Sequence, residues 1–427
     1  MKVPHPGTPS RRPRPPRLPL PSLHAAERVR GAGILEESTG DGCGVVLWES
    51  FRNVTDWAAT PRARRTGDLF GPGAAERRTA LLGSISRTDG CLRRALETVR
   101  DLLADPAGAE PRAVAYACTT VAAWAAAHGR PATRFYFAAA GAACVPEDAR
   151  QAYDAGCVAR DLARWDAAEQ WLEYALAAAK RRRDRVTQAM AVIGVGNAFY
   201  RQGFYHRARE AQTAGLTLAR KYRLKEMQAR AHHDLFITSA ELHEAERAEE
   251  HARLALQAYG AAHRNVPALA HDVARFWLEL GHASRALTVV TALLPHMKRP
   301  IHRLYALSSL AWAAGGCGRQ EAFESAWNEV WAAAALPGAG AAAASALLQL
   351  AYGAAALGEV ARAEAAATAA LRIAAERGEQ EEVATATAFL DSLSAGSPSL
   401  VSACAADIAE GSNDSLAEEF VQTLAVG

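Results

Sequence analysis

The 427-residue sequence predicts an all-α protein, a right-handed α-solenoid of helix-turn-helix repeats behind an N-terminal helical cap. Three observations carry this expectation. From about Glu110 to Ala395, Ala, Leu, Arg and Glu dominate and β-branched residues are thin, a composition that favours helix. Apolar residues in that stretch recur at helical spacing, the pattern of helices with one buried face. The chain is also self-similar: Ala168, Ala208, Ala248, Ala286, Phe323 and Ala363 fall in one column, separated by 40, 40, 38, 37 and 40 residues. Such a period lies within the range of helical solenoids, in which each unit hides its apolar surface only against its neighbours.

Residues 1–40 mix Pro, Arg, Gly and Ser with few large apolar groups, and are expected to form a disordered basic tail. Residues 41–110 are expected to be the cap. Within it Val45–Ala59 carries Val46, Leu47, Phe51, Val54 and Trp57 at helical spacing and stops at Pro61. A second amphipathic stretch runs from about Arg77 to Leu103, weakened or divided near Gly83 and Gly90. The repeat array is expected over 111–395, opening with a pair around Gly129 in which Arg134 stands where an alanine would fit. Residues 396–427, rich in Ser, Gly, Asp and Ala, read as a flexible end with short helices near 399–410 and 415–425.

Further columns keep the same register. Twelve residues before the aligned position stand Gly156, Gly196, Phe236, Ala274, Ala311 and Ala351; five before it stand Ala163, Gly203, His243, Gly281, Gly318 and Gly358. Eight after it stand Leu176, Leu216, Leu256, Leu294, Trp331 and Leu371. A small residue lets the first helix approach the second, a glycine turns the chain, and a large residue anchors the second helix in the next interface. These columns resemble the tetratricopeptide (TPR) repeat, most closely over 151–179, 191–219 and 346–374. Phe236 and Phe323 depart from its small positions, Gln212 stands where an aromatic is usual, the closing prolines are missing, and the period exceeds the family's 34 residues. Stretched repeats of this kind are similar to those of bacterial sensor-regulators whose helical arrays bind peptides or partner domains.

Several function classes are disfavoured. Of 48 Lys/Arg and 46 Asp/Glu, seven basic residues and one acid fall in the first 30 positions, leaving 41 against 45 over the rest. The body therefore lacks the basic balance of a nucleic-acid binder. Seven scattered cysteines without a C-x-x-C pair point to a reducing compartment, and no apolar run of membrane-spanning length or secretory signal is evident, so the expectation is a cytoplasmic protein away from membranes. His243-Glu244-Ala245-Glu246-Arg247 has Arg where a zinc-binding helix needs its second His. Gly194-Val195-Gly196-Asn197 lacks the strand and third glycine of a dinucleotide site. No cofactor, no metal and no catalytic residue is assigned, and the chain is not read as an enzyme. The run Lys180 to Arg185 falls between repeats and reads as a solvated loop.

What remains is a binding surface. The resemblance implies that the first helix of each pair lines a concave face. Taking the i, i+4, i+7 face of those helices and their neighbours selects Tyr153, Arg160, Asn197, Tyr200, Arg201, Arg230, His233, His271, Arg275 and Trp312 as a peptide or partner groove. Amide side chains there can meet a peptide backbone, and Arg can take a carboxylate bidentately. The pairs His233-Asp234 and His271-Asp272 each begin fifteen residues before an aligned alanine. Equivalent positions on stacked helices stand about 8–10 Å apart, too far to share one ion, so hydrogen bonding across the repeat interface is the leading expectation for them. The function expected is a scaffold binding another protein or a peptide; the alternative is a regulatory sensor that responds to a small peptide or metabolite and controls an effector.

Overall fold

A computed structural model describes residues 18–19, 25–37, 42–83, 85, 89–336, 340, 342–395 and 415–426. Among these residues the regular structure is helix throughout, with no strand. The chain divides into two compact units, Met1–Met227 and Gln228–Gly427, with the division falling inside one helix of the stretch expected to form a single array.

The first unit opens with α1 (Ala25–Glu36), α2 (Gly44–Ala59), α3 (Ala74–Leu82) and α4 (Gly90–Ala104). The amphipathic stretch from Arg77 is thus two helices, parted near the two glycines. Helix α2 buries Val46, Leu47, Phe51, Val54 and Trp57, the set its spacing predicted, and Trp57 Nε1 donates to the Pro106 carbonyl at 2.8 Å. Helix α1 lies inside the segment expected to be a disordered tail, whose other residues, apart from 18–19 and Glu37, lie outside the described ones. Composition misleads here because the contact is made by a missing side chain: a Cβ on Gly31 would overlap the Trp48 indole. Two carboxylates at the end of α1 then tie it to its neighbours. Glu36 accepts from the backbone N–H groups of Gly42 and Gly44 ahead of α2, where partial positive charge favours an anion. Glu37 accepts from Ala132 N–H at 2.7 Å and from Thr133 Oγ at 3.0 Å, both in the first turn of α6 (Pro131–Cys144).

Hairpins come next along the chain. Helix α5 (Pro111–Ala127) pairs with α6, α7 (Ala149–Asp161) with α8 (Trp165–Arg182), and α9 (Arg185–Arg201) with α10 (Tyr205–Lys221). Helix α11 (Lys225–Glu241) contains the unit boundary. The second unit continues through α12 (Ala245–Tyr259), α13 (Val266–Glu279), α14 (Ala283–Leu293), α15 (Pro300–Gly316), α16 (Gln320–Ala334), α17 (Ala342–Ala356), α18 (Val360–Arg377), α19 (Gln380–Ser394) and α20 (Ser415–Val426).

The repeat columns have direct structural meaning. Ala168, Ala208, Ala248, Ala286, Phe323 and Ala363 are all at 0 % exposure. The small residues opposite permit that closeness: a Cβ on Gly156 would meet Leu172 at 2.9 Å, and one on Gly196 would meet Gln212 Cγ at 2.7 Å. All six turn residues adopt positive φ, from 53° at Ala163 to 84° at Gly281. His243 is one of them, at 58°, so the segment that superficially resembles a zinc helix starts in the turn after α11, and only its last three residues are helical, in the first turn of α12. The departures are compensated locally. Phe323 fits because Gly353 of α17 leaves room, with a virtual Cβ 3.0 Å from its ring; Phe236 meets Phe276 edge-on at 5.6 Å. Gln212 is buried and donates to Asn197 Oδ1 at 3.1 Å. Trp331, expected as an interface anchor, is instead 39 % exposed and stacks on Trp327.

The basic run closes α8: Lys180, Arg181 and Arg182 occupy its last turn, where cations meet the negative helix end, and Arg183 caps it at φ 58°. The last residues, expected to be flexible, include α20, which buries Leu416, Ala417, Phe420 and Leu424 against a core shared with α12, α13 and α14. Arg253 holds it by an ion pair to Glu419 at 3.1 Å. The short helix expected near 399–410 lies outside the described residues.

The turn column makes a stability prediction. An L-residue at positive φ carries strain that glycine does not. Ala163→Gly should therefore raise stability by about 0.5–1 kcal/mol and Gly203→Ala should lower it by at least as much, read as opposite shifts of the urea midpoint at constant m-value.

Candidate functional site

A concavity lies wholly in the second unit, on helices α13, α15, α17 and α19, one from each of four successive hairpin positions. Its volume is about 470 Å3, within the roughly 300–1,000 Å3 range of ligand pockets. Each helix offers one face to it. Helix α17 contributes Ser345, Leu348, Gln349, Tyr352 and Ala355, the i, i+3, i+4, i+7, i+10 stripe; α19 contributes Glu381, Glu382, Thr385 and Phe389. Arg275, Leu278 and Glu279 come from α13, and Trp312 from α15.

Why α15 and α17 approach so closely is written in glycine. A Cβ on Gly315 would overlap Gly353 O, and one on Gly353 would stand 2.6 Å from Ala311 O, so the two backbones touch. That contact takes up two residues of the α15 face that carries Trp312. Ser308 and Gly315 are buried against α17, and only Trp312 reaches the groove. Trp312 meets Tyr352 with ring centroids 4.8 Å apart, and Tyr352 meets Phe389 edge-on at 5.0 Å. An aromatic row thus crosses three helices. Burial pushes the Tyr352 hydroxyl above its ordinary value, the nearby Arg275 pulling the other way, so it stays a neutral donor.

Beside the groove runs a polar chain. His233 Nε2 on α11 donates to Asp272 Oδ2 on α13 at 2.9 Å, across the repeat interface. His271 Nδ1 stands 3.7 Å from the other Asp272 oxygen, and its Nε2 lies 3.3 Å from Ser309 Oγ on α15. Ser309 donates to Gln349 Oε1 on α17 at 2.8 Å, and Ser308 Oγ lies 3.2 Å from the same oxygen. The hydroxyls fix the Gln349 amide with its oxygen turned to α15 and its Nε2 without a hydrogen-bond partner. Burial alone would raise Asp272, but its hydrogen bonds to and the charges of His233 and His271 outweigh this and hold the carboxyl well below the usual carboxylate range.

Of the predicted groove residues, Arg275 and Trp312 line this concavity, while His233 and His271 form the chain beside it. Arg230 is half-buried on α11. The other five lie in the first unit. Tyr153 is buried in the core, contrary to a role on an open surface; the missing side chain of Gly194 lets α9 close over it, a Cβ there falling 3.1 Å from the Tyr153 ring. Arg160 pairs with Asp161 at 2.8 Å, Asn197 turns its oxygen to Gln212, Tyr200 meets Tyr205 at 5.6 Å, and Arg201 is exposed. Gln349, Glu381, Glu382 and Phe389 were missed. The register that picked His271 and Arg275 picks Leu348 and Tyr352 when carried two repeats on, whereas α19 has no aligned position to extend it.

Among the described residues, no group of three or more His, Cys, Asp and Glu side chains is placed to hold a metal ion, and no helix is long and apolar enough to cross a membrane. No protein-family model matches the chain, and no curated protein matches it. Among solved structures the chain is similar to a Rap protein crystallised in complex with competence and sporulation factor, at 11 % identity over 83 % of this chain and 98 % of that one. The TM-score is 0.36, a likeness too loose to bear on fold or function.

The lowered Asp272 value gives a pH prediction. A carboxyl whose folded value lies below its unfolded one, about 3.9, adds stability that is present above that pH and fades as the pH falls further. Asp272→Asn should therefore melt below the parent at pH 5, and the gap should narrow steadily from pH 4 toward pH 2 in thermal melts followed by circular dichroism. A gap that stays constant over that range would show that Asp272 contributes packing and not charge.

Proposed function

We propose that the protein is a binding module that takes an extended peptide or a segment of a partner protein in the groove of the second unit, without turning it over. The observation that supports this most directly is the lining itself: an aromatic row from Trp312 through Tyr352 to Phe389, bordered by polar groups whose bonding is not exhausted. Besides Gln349 Nε2, Arg275 Nε is buried without a partner, although its guanidinium pairs with Glu279 at 2.8 Å. Aromatic surface supplies affinity to a peptide and spare amide or guanidinium donors meet its carbonyls. Neighbouring packed helices stand about 8–10 Å apart, so four of them span a length suited to roughly seven to nine extended residues. The resemblance of the repeat columns to TPR repeats, whose first helices line the concave face, agrees with this reading, and we place the protein in the cytoplasm.

The test is binding of the full chain to an array of random hexapeptides. A subset should be retained, and Trp312→Ala should weaken that subset about 30-fold, the scale of a central aromatic anchor, with Arg275→Ala acting in the same direction. Unchanged melting curves for the two variants guard against misfolding. Retention that neither variant alters would rule the groove out as the binding site.

A further inference from the structure

The charges around the groove are not balanced, and the imbalance lies at one end. At the α13 end Arg275 is matched by Glu279. At the α19 end Glu381 is exposed and Glu382 half-buried, and among the described residues neither has an ion-pair partner. Adjacent carboxylates on the wall of a concave site reinforce one another, since field lines concentrate where low-dielectric walls exclude solvent. The Phe389 ring stands on the same helix as these acids and meets Tyr352 of α17 edge-on, and the face of an aromatic ring attracts a cation.

A second observation is independent of these acids. Gln349 is 3 % exposed and lines the groove, with its oxygen engaged by two serine hydroxyls and its Nε2 unspent. A buried amide donor without an acceptor is rare in folded proteins, and an incoming carbonyl would satisfy it. A carboxylate would satisfy it too, but would meet Glu381 and Glu382. The ligand that answers both features carries a positive charge and a neutral carbonyl close together, as a basic residue in a peptide does.

We infer that the groove selects a basic peptide, with a Lys or Arg side chain held between Glu381, Glu382 and the Tyr352–Phe389 rings while Gln349 Nε2 donates to a carbonyl of its backbone. This rests on the peptide-binding reading above and adds the charge of the ligand and the end at which it is read. The segment is seated with its basic residue over α19. Its remaining length runs along the aromatic row toward Arg275.

The experiment uses the full chain and three capped hexapeptide pools, random at four positions, with the central pair fixed as Lys-Arg, Gln-Gln or Glu-Glu. The Lys-Arg pool should bind about tenfold more tightly than the Gln-Gln pool, and the Glu-Glu pool should bind weakest. Glu381→Gln with Glu382→Gln should erase the preference, so that the Lys-Arg and Gln-Gln pools bind alike; a preference that survives this double substitution would overturn the assignment of the acids. Raising the salt from 0.05 to 0.5 M should shrink the preference in the parent protein, because these carboxylates are open to screening. Equal binding of the Lys-Arg and Gln-Gln pools, still weakened by Trp312→Ala, would leave a peptide groove and overturn its charge selectivity. Failure of every pool to bind would overturn both.

Discussion

The close approach of two helices at a position with little or no side chain is the constraint on which the structure depends. Each hairpin buries its aligned residue completely, and at Gly156 and Gly196 the space a methyl group would need is already taken by the facing helix. Helices packed at this distance gain dispersion contacts along their whole length, and a single added carbon would have to push them apart. The constraint also explains the departures. Phenylalanine can stand in a small-residue column where the neighbouring helix gives way instead, as Gly353 does for Phe323. What is kept through the array is total volume at the crossing, not residue type at one column.

The same economy builds the groove. Because Gly315, Gly353 and Ala311 bring α15 and α17 into backbone contact, the larger side chains on either side of that seam, Trp312 and Tyr352, are driven to the open face, where they meet each other and then Phe389. The polar chain from His233 to Gln349 lies beside that seam. Its hydroxyl, imidazole and carboxylate groups bond to one another from helix to helix, and hydrogen bonds in such a chain polarise and reinforce their neighbours. The chain ends at the one amide nitrogen left over, so the packing that fixes the helices also decides which donor the groove presents.

The fold was largely legible. The column of Ala168, Ala208, Ala248, Ala286, Phe323 and Ala363 and the turn column five residues before it became buried crossings and positive-φ turns without exception, because both are local: a turn needs its own φ, and a crossing needs a small residue at a fixed distance from that turn. Helix α1 was not legible, since its anchor is the absence of a side chain at Gly31 and two carboxylates at its end. Helix α20 was placed as a short helix but not as a docked one. Its apolar stripe of Leu416, Phe420 and Leu424 is ordinary for a helix, and nothing in its spacing names the helices α12, α13 and α14 that cover it.

By itself the sequence determined the fold class, the hairpin register and the place of the turns, all of which follow from periodicity and from the φ preferences of single residues. It also marked Arg275, Trp312, His233 and His271 as neighbours of a concave surface. Only the tertiary structure decided that Tyr153 is core and Trp312 is groove, that Asp272 bridges two histidines of different repeats, and that Gln349 and the acids of α19 join the site. These are relations between residues about 40 positions apart, and a shift of one helix by a fraction of a turn would exchange which of them is buried. Periodicity fixes a face to within such a shift; packing against the particular volumes opposite fixes the rest.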